Sequence, residues 1–135
     1  MTRKIRYLTE LDVARLEKSA AEPGAAPARQ TMLDELLERA EIVAPQDVAA
    51  NVVTMNSQVT LKNEETGETF TWTVVYPRSA DFAAGRLNVF SPAGLALLGL
   101  KRGDTVRFTP PSGAQQTLKI DRILFQPEAS DDFRL

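Results

Sequence analysis

The sequence predicts an α+β chain in which a short N-terminal antiparallel helical hairpin precedes an antiparallel sheet with one packed helix. Two observations carry this. Apolar residues recur at helical spacing up to about residue 43 and with period two after Asn51. The aromatic residues divide at the same place: Tyr7 is alone in the first fifty positions, and the other eight fall between Phe70 and Phe133. A boundary is therefore expected between Pro45 and Asn51, separating a hairpin at 1–50 from a sheet region at 51–135.

In the first part, Thr9 followed by Asp12 has the form of a helix N-cap. Leu8, Leu11, Ala14 and Lys18 then follow at helical spacing, with Leu16 on the apolar edge. The run AEPGAAPA at 21–28 holds two prolines and a glycine and predicts a turn, with Glu22, Pro23 and Gly24 at the hairpin tip. A second cap is read at Thr31 and Asp34, opening a helix whose stripe is Leu33, Leu36, Leu37, Ala40 and Val43. Each arm, at about 12 residues, would be ~18 Å long. The stripe alone leaves open whether the hairpin packs on itself, on the sheet or on another copy.

In the second part, Val59 and Leu61, then Phe70, Trp72 and Val74, alternate across a turn at Glu64 to Gly67. Further strands are expected at 86–89, 105–108, 116–120 and 123–125, with a turn at PPSG, 110–113; about five strands make the sheet. Ser91 and Pro92 are placed as cap and first residue of a helix carrying Leu95, Leu97 and Leu98 and ending at Gly99. Trp72 and the alternating aromatics are read as core.

Composition narrows the chemistry. There are 135 residues with 43% hydrophobic and 25% charged side chains, as in a folded globular chain. With no cysteine and no histidine, thiolate catalysis, disulfides, zinc-finger sites and histidine general-base catalysis are excluded. No cofactor is implied. The net charge of −2 comes from seven basic and nine acidic side chains in residues 1–50, with nine of each in 51–135; neither part is a basic stripe, so nucleic acid is not expected as a direct partner. Neither a signal peptide nor an apolar run of membrane-spanning length is read, which fits a cytoplasmic protein.

The run NVVTMNSQV at 51–59, the pair Tyr76-Pro77, SPAGLALLGLKRGD at 91–104 and the ending FQPEASDDFRL together resemble the Gre transcription factor family. The resemblance is to its branch of regulators of nucleoside diphosphate kinase. It implies an FKBP-like sheet domain, a coiled-coil-like hairpin, and RNA polymerase as partner, met at the rim of its secondary channel. It also implies that Phe90, Ser91 and Pro92 form the turn that contacts the enzyme. The same residues have a purely structural reading, with Phe90 in the core and Ser91 as a cap.

Gre factors promote transcript cleavage through acidic tip residues that help hold magnesium, chemistry that needs hard oxygen ligands aimed at the ion. Here Glu22 is the sole carboxylate of the tip. The resemblance thus implies a non-enzymatic regulator that occupies the channel entrance, competes with Gre factors without cutting RNA, and influences nucleoside diphosphate kinase levels. A monomer is favoured. Two other readings stand beside it: an FKBP-like peptidyl-prolyl isomerase, and a protein that binds the kinase directly. Glu35, Glu38 and Glu41, and Glu64, Glu65 and Glu68, are read as solvated, and Asp104 as stabilising the turn at Gly103.

Overall fold

Thr9 opens the first helix as the sequence predicts. Its hydroxyl accepts a hydrogen bond from the Asp12 N–H at 3.0 Å, satisfying one of the free donors of the first turn. The computed structural model describes residues 6–108 and 113–130, apart from the side chains of Pro92 and Phe108. In chain order it has β1 (Arg6–Thr9), α1 (Glu10–Ala20), α2 (Ala28–Glu38), β2 (Ala40–Val43), β3 (Gln58–Lys62), β4 (Thr69–Val75), β5 (Arg86–Asn88), α3 (Pro92–Leu97), β6 (Thr105–Phe108) and β7 (Gln116–Phe125). Most of the expected PPSG turn and the end of the chain after Ser130 lie outside the described residues.

The second helix departs from expectation at both ends. It starts at Ala28 rather than at the Thr31 cap, because Pro27, at φ −56° and ψ −27°, already holds helical geometry and needs no side-chain cap. It stops at Glu38, where the Arg39 N–H turns back to Leu36 O at 3.1 Å. Ala40, Ile42 and Val43, which continue the helical spacing in sequence, instead form β2, paired in parallel with β1 in the register Arg6 with Ala40 through Thr9 with Val43. This two-stranded sheet has no counterpart in the predicted elements.

The larger sheet has five strands in the order β5-β4-β3-β7-β6. The pairings β4-β3, β3-β7 and β7-β6 are antiparallel, but β5 runs parallel to β4, so the expected purely antiparallel sheet is in fact mixed. The two strands expected at 116–120 and 123–125 are one continuous β7, whose register against β3 shifts near Gln58 and Thr60. A bulge absorbs the break in alternation at Asp121 and Arg122, both exposed.

The core joins both parts of the chain. Leu8, Leu16, Leu33 and Leu36 belong to the same buried cluster as Val59, Leu61, Trp72, Val74, Leu97, Leu118 and Ile120. The helices therefore pack on the sheet region, one of the surfaces the amphipathic stripe left open. Trp72, 6% exposed, sits between Phe70 at 5.3 Å and Phe82 at 6.3 Å, a core position as read.

Candidate functional site

The 88–94 turn is built by two side chains. Asn88 Oδ1 accepts from the Phe90 N–H at 2.9 Å, and the Ser91 hydroxyl donates to Asn88 O at 2.6 Å while accepting from the Gly94 N–H at 3.1 Å. Ser91 thus caps α3 as the sequence indicates, and a Cβ on Gly94 would run into Asn88 O. Phe90 is only 7% exposed, and the Arg29 guanidinium of α2 lies 5.5 Å above its ring. Of the three residues singled out, Phe90 faces the core and Ser91 is half-buried; Pro92 opens the helix, and its side chain is outside the described set.

The far side of this helix is held by β1. Arg6 Nη1 donates to the carbonyls of Leu95, Ala96 and Leu98 at 3.0 to 3.1 Å, meeting acceptors left open at the C-terminus of α3. Burial, followed by the charge of Arg39, lowers the Arg6 pKa from its ordinary value. Gly99 adopts φ +85°, and a Cβ there would stand 2.9 Å from Arg6 Cβ, so only glycine fits this crossing.

The tip residues Glu22, Pro23 and Gly24 are exposed, with Gly24 at φ +83°. Glu22 faces Arg78 at 3.9 Å, a loose pair in which the side chains are 46% and 88% exposed. Among the described residues, no group of three carboxylates or other metal-ligating side chains gathers at one point. Glu35, Glu38, Glu41, Glu64, Glu65 and Glu68 are all exposed, and Asp104 Oδ2 accepts from the Lys101 N–H at 2.9 Å to close its turn.

Between the first turn of α1 and the turn before β3 lies a buried polar cluster that sequence reasoning did not find. Asp12, 1% exposed, accepts the Met55 N–H at 3.1 Å and so ties α1 to the turn before β3. In that turn Thr54 and Ser57 are bonded hydroxyl to hydroxyl at 2.8 Å, and Thr54 donates to Glu128 at 2.7 Å. Burial raises the Asp12 carboxyl to about 7; the Met55 N–H opposes this and the charge of Glu128 adds to it. Tyr76 is likewise held above its ordinary range, mainly by burial and then by Asp12. Its hydroxyl is buried with no hydrogen-bond partner of good geometry, although Arg15 stands beside it. The signal was present in sequence: VTMNS, the Tyr76-Pro77 pair and Glu128 of the terminal run all meet here.

Comparison with known proteins assigns the class. The chain belongs to the GreA/GreB transcription elongation factor family, whose C-terminal domain profile matches residues 41–124. Within that family, its full length matches the full length of the regulator of nucleoside diphosphate kinase from Escherichia coli K12 at 34% identity. The transcription elongation factor GreA of Thermotoga petrophila is 37% identical over 100 residues, 74% of this chain and 64% of that protein. Among solved structures, a GreA/GreB elongation factor from Nitrosomonas europaea superposes with a TM-score of 0.76 at 32% identity, covering 91% of this chain and all of that one. The Gre factor homologue Gfh1 of Thermus thermophilus shares the fold, with a TM-score of 0.53 at 21% identity. These relatives are named as regulators and elongation factors. Among the described residues, no helix is long and apolar enough to cross a membrane.

Proposed function

We propose that this protein is a non-enzymatic, cytoplasmic transcription regulator that docks on RNA polymerase near the secondary channel. There it competes with Gre factors without stimulating transcript cleavage, and it influences nucleoside diphosphate kinase levels through transcription. The docking module is the mixed sheet with α3, an FKBP-like unit in this reading, and the contact is the turn at Phe90, Ser91 and Pro92. Because Phe90 is buried, Ser91 and the neighbouring Arg29 supply the described part of the contacting surface. The protein acts as a monomer.

The tip carries the reading. α1 has 11 residues, which makes it ~16 Å long, and the turn beyond it presents Glu22 alone. A second metal ion in a two-metal site needs several oxygen ligands. One carboxylate on a short arm supports occupancy of the entrance rather than delivery of a metal to the reaction.

The test is a transcript-cleavage assay on backtracked elongation complexes, with a Gre factor as both positive control and competitor. The expected result is that this chain accelerates no cleavage, yet suppresses Gre-stimulated cleavage in proportion to its concentration. Pro92→Ala and Arg29→Glu weaken that suppression. Cleavage by the chain itself, or no displacement of the Gre factor at tens of micromolar, would sink the proposal.

A further inference from the structure

The helices share a core with one face of the five-stranded sheet and leave the other face open. On β3 and β7, Val59, Leu61, Leu118 and Ile120 are buried, while the alternate residues Gln58, Lys62, Thr117 and Lys119 are exposed. The register sets Lys62 directly opposite Lys119, Thr60 opposite Arg122, and Gln58 opposite Phe125. Arg107 of β6 stands opposite Thr117 on the same face. Like charges facing each other destabilise a strand pair, so the fold gains nothing from placing Lys62 against Lys119. Glu64, in the turn after β3, meets Lys119 in an exposed pair at 3.5 Å, and Asp121 stands in the bulge. Among the described residues, Lys62, Arg107 and Arg122 enter no ion pair. Beside the bulge, a hollow of about 290 Å³ is lined by Asn51, Arg102 and Arg122 and by no carboxylate. Arg102 Nε donates to Asp121 O at 2.9 Å, a bond that orients the guanidinium without neutralising it. Leu124 and Phe125, two of the few exposed large apolar side chains, end the same strand.

We propose that this open face of the sheet binds single-stranded RNA, with phosphates along Lys62, Lys119 and Arg122 and a base stacked on Phe125. A phosphate between Lys62 and Lys119 turns their repulsion into a shared attraction. A cationic track ending on an exposed aromatic is the arrangement that holds single strands, charge for the backbone and a ring for a base. The face is a sheet surface with no projecting helix or ribbon to enter a duplex groove. Thr60, Thr71 and Gln58 both donate and accept, which suits a 2′-hydroxyl. The net charge of −2 gave no sign of this surface because it sums all faces, whereas the alternation of β3 and β7 gathers these cations on one. The inference stands apart from the polymerase reading, since it rests on this face alone.

The test follows the anisotropy of a labelled single-stranded RNA of about 12 nucleotides as the full chain is added, from about 50 to 200 mM salt. Saturable binding is expected, with log K falling against log salt at a slope of about −2 to −3, as for three or four phosphates at about −0.7 each. The double variant Lys62→Ala, Arg122→Ala changes only exposed side chains; it is expected to weaken binding about tenfold or more at low salt and to flatten the slope by about 1.4. Phe125→Ala is expected to weaken binding about fivefold or more with the slope unchanged, because stacking releases no counterions. Lys18→Ala, Arg78→Ala removes the same charge from exposed positions elsewhere and is expected to leave binding as it is. No saturable binding at about 50 mM salt, or an equal loss in both double variants, overturns the proposal. Single-stranded DNA of the same sequence binding as tightly also overturns it, as does displacement of the RNA by poly-glutamate, which would give the face to an acidic protein.

Discussion

Asp12 is the residue where local chemistry has the widest effect. Its carboxyl titrates near 7 in the fold against an ordinary value of 3.8, so the folded chain binds that proton more tightly than the unfolded one. Stability from this group is complete below about pH 4, declines as pH rises through the interval, and above about pH 7 has fallen by about 4 kcal/mol. Asp12→Asn keeps an acceptor for the Met55 N–H and removes the charge. Urea unfolding between pH 4.5 and 8 is expected to show a falling midpoint in the native chain and a flatter profile in the variant; parallel profiles would contradict the assignment. Sequence showed Asp12 only as a partner of the Thr9 cap. Its second role depends on Met55, 43 positions away, and no local pattern announces that pairing.

At the scale of elements, two of the three side-chain caps read from sequence, at Thr9 and Ser91, hold, and the third, at Thr31, does not. Thr9 and Ser91 lie where their hydroxyls were expected, since a cap is a local bond over three residues. The start of α2 at Pro27 and its stop before β2 escaped notice. Four residues with three apolar positions fit either period, and hydrogen bonding to β1, more than thirty residues away, decides the matter. The parallel β5 escaped for the same reason: three residues carry no mark of strand direction. The crossing of β1 over the end of α3 makes a sharp prediction. Gly99→Ala is expected to destabilise the fold by about 2 kcal/mol or more, from the strained positive φ and the contact with Arg6. Ser91→Ala is expected to cost about 1 kcal/mol. Thermal unfolding of the two variants side by side checks the order, and a Gly99 variant as stable as the native chain contradicts the account of the crossing.

At the scale of the molecule, the α+β class, the five-strand count and the aromatic core of the sheet were readable from periodicity and aromatic placement. The merging of the first fifty residues into the same core was not, because an amphipathic stripe specifies burial without naming the surface that covers it. Of the candidate site, the Ser91 cap and the exposed tip were legible; the inward position of Phe90 and the cluster under Tyr76 were not. Leu16 and Leu36 lie in one buried cluster with Trp72, so helices and sheet are expected to unfold together. Trp72 fluorescence and far-ultraviolet circular dichroism should give coincident transitions. Leu36→Ala should shift both by the ~2 to 5 kcal/mol typical of a core truncation, and separated transitions would contradict that coupling.

The parallel pair of β1 and β2 has a consequence for how such chains diversify. It fastens the departure and the return of the helical excursion side by side, with Thr9 opposite Val43 and Arg6 opposite Ala40. Whatever is strung between those two strands begins and ends at one fixed socket. Doubling the length of a flexible connection costs only about 0.6 kcal/mol in closure entropy, and added helical turns bring their own bonds. The arm is in that sense an interchangeable cartridge: reach and tip chemistry can be rewritten by insertion near Gly24 while the socket and the sheet beneath it stay as they are.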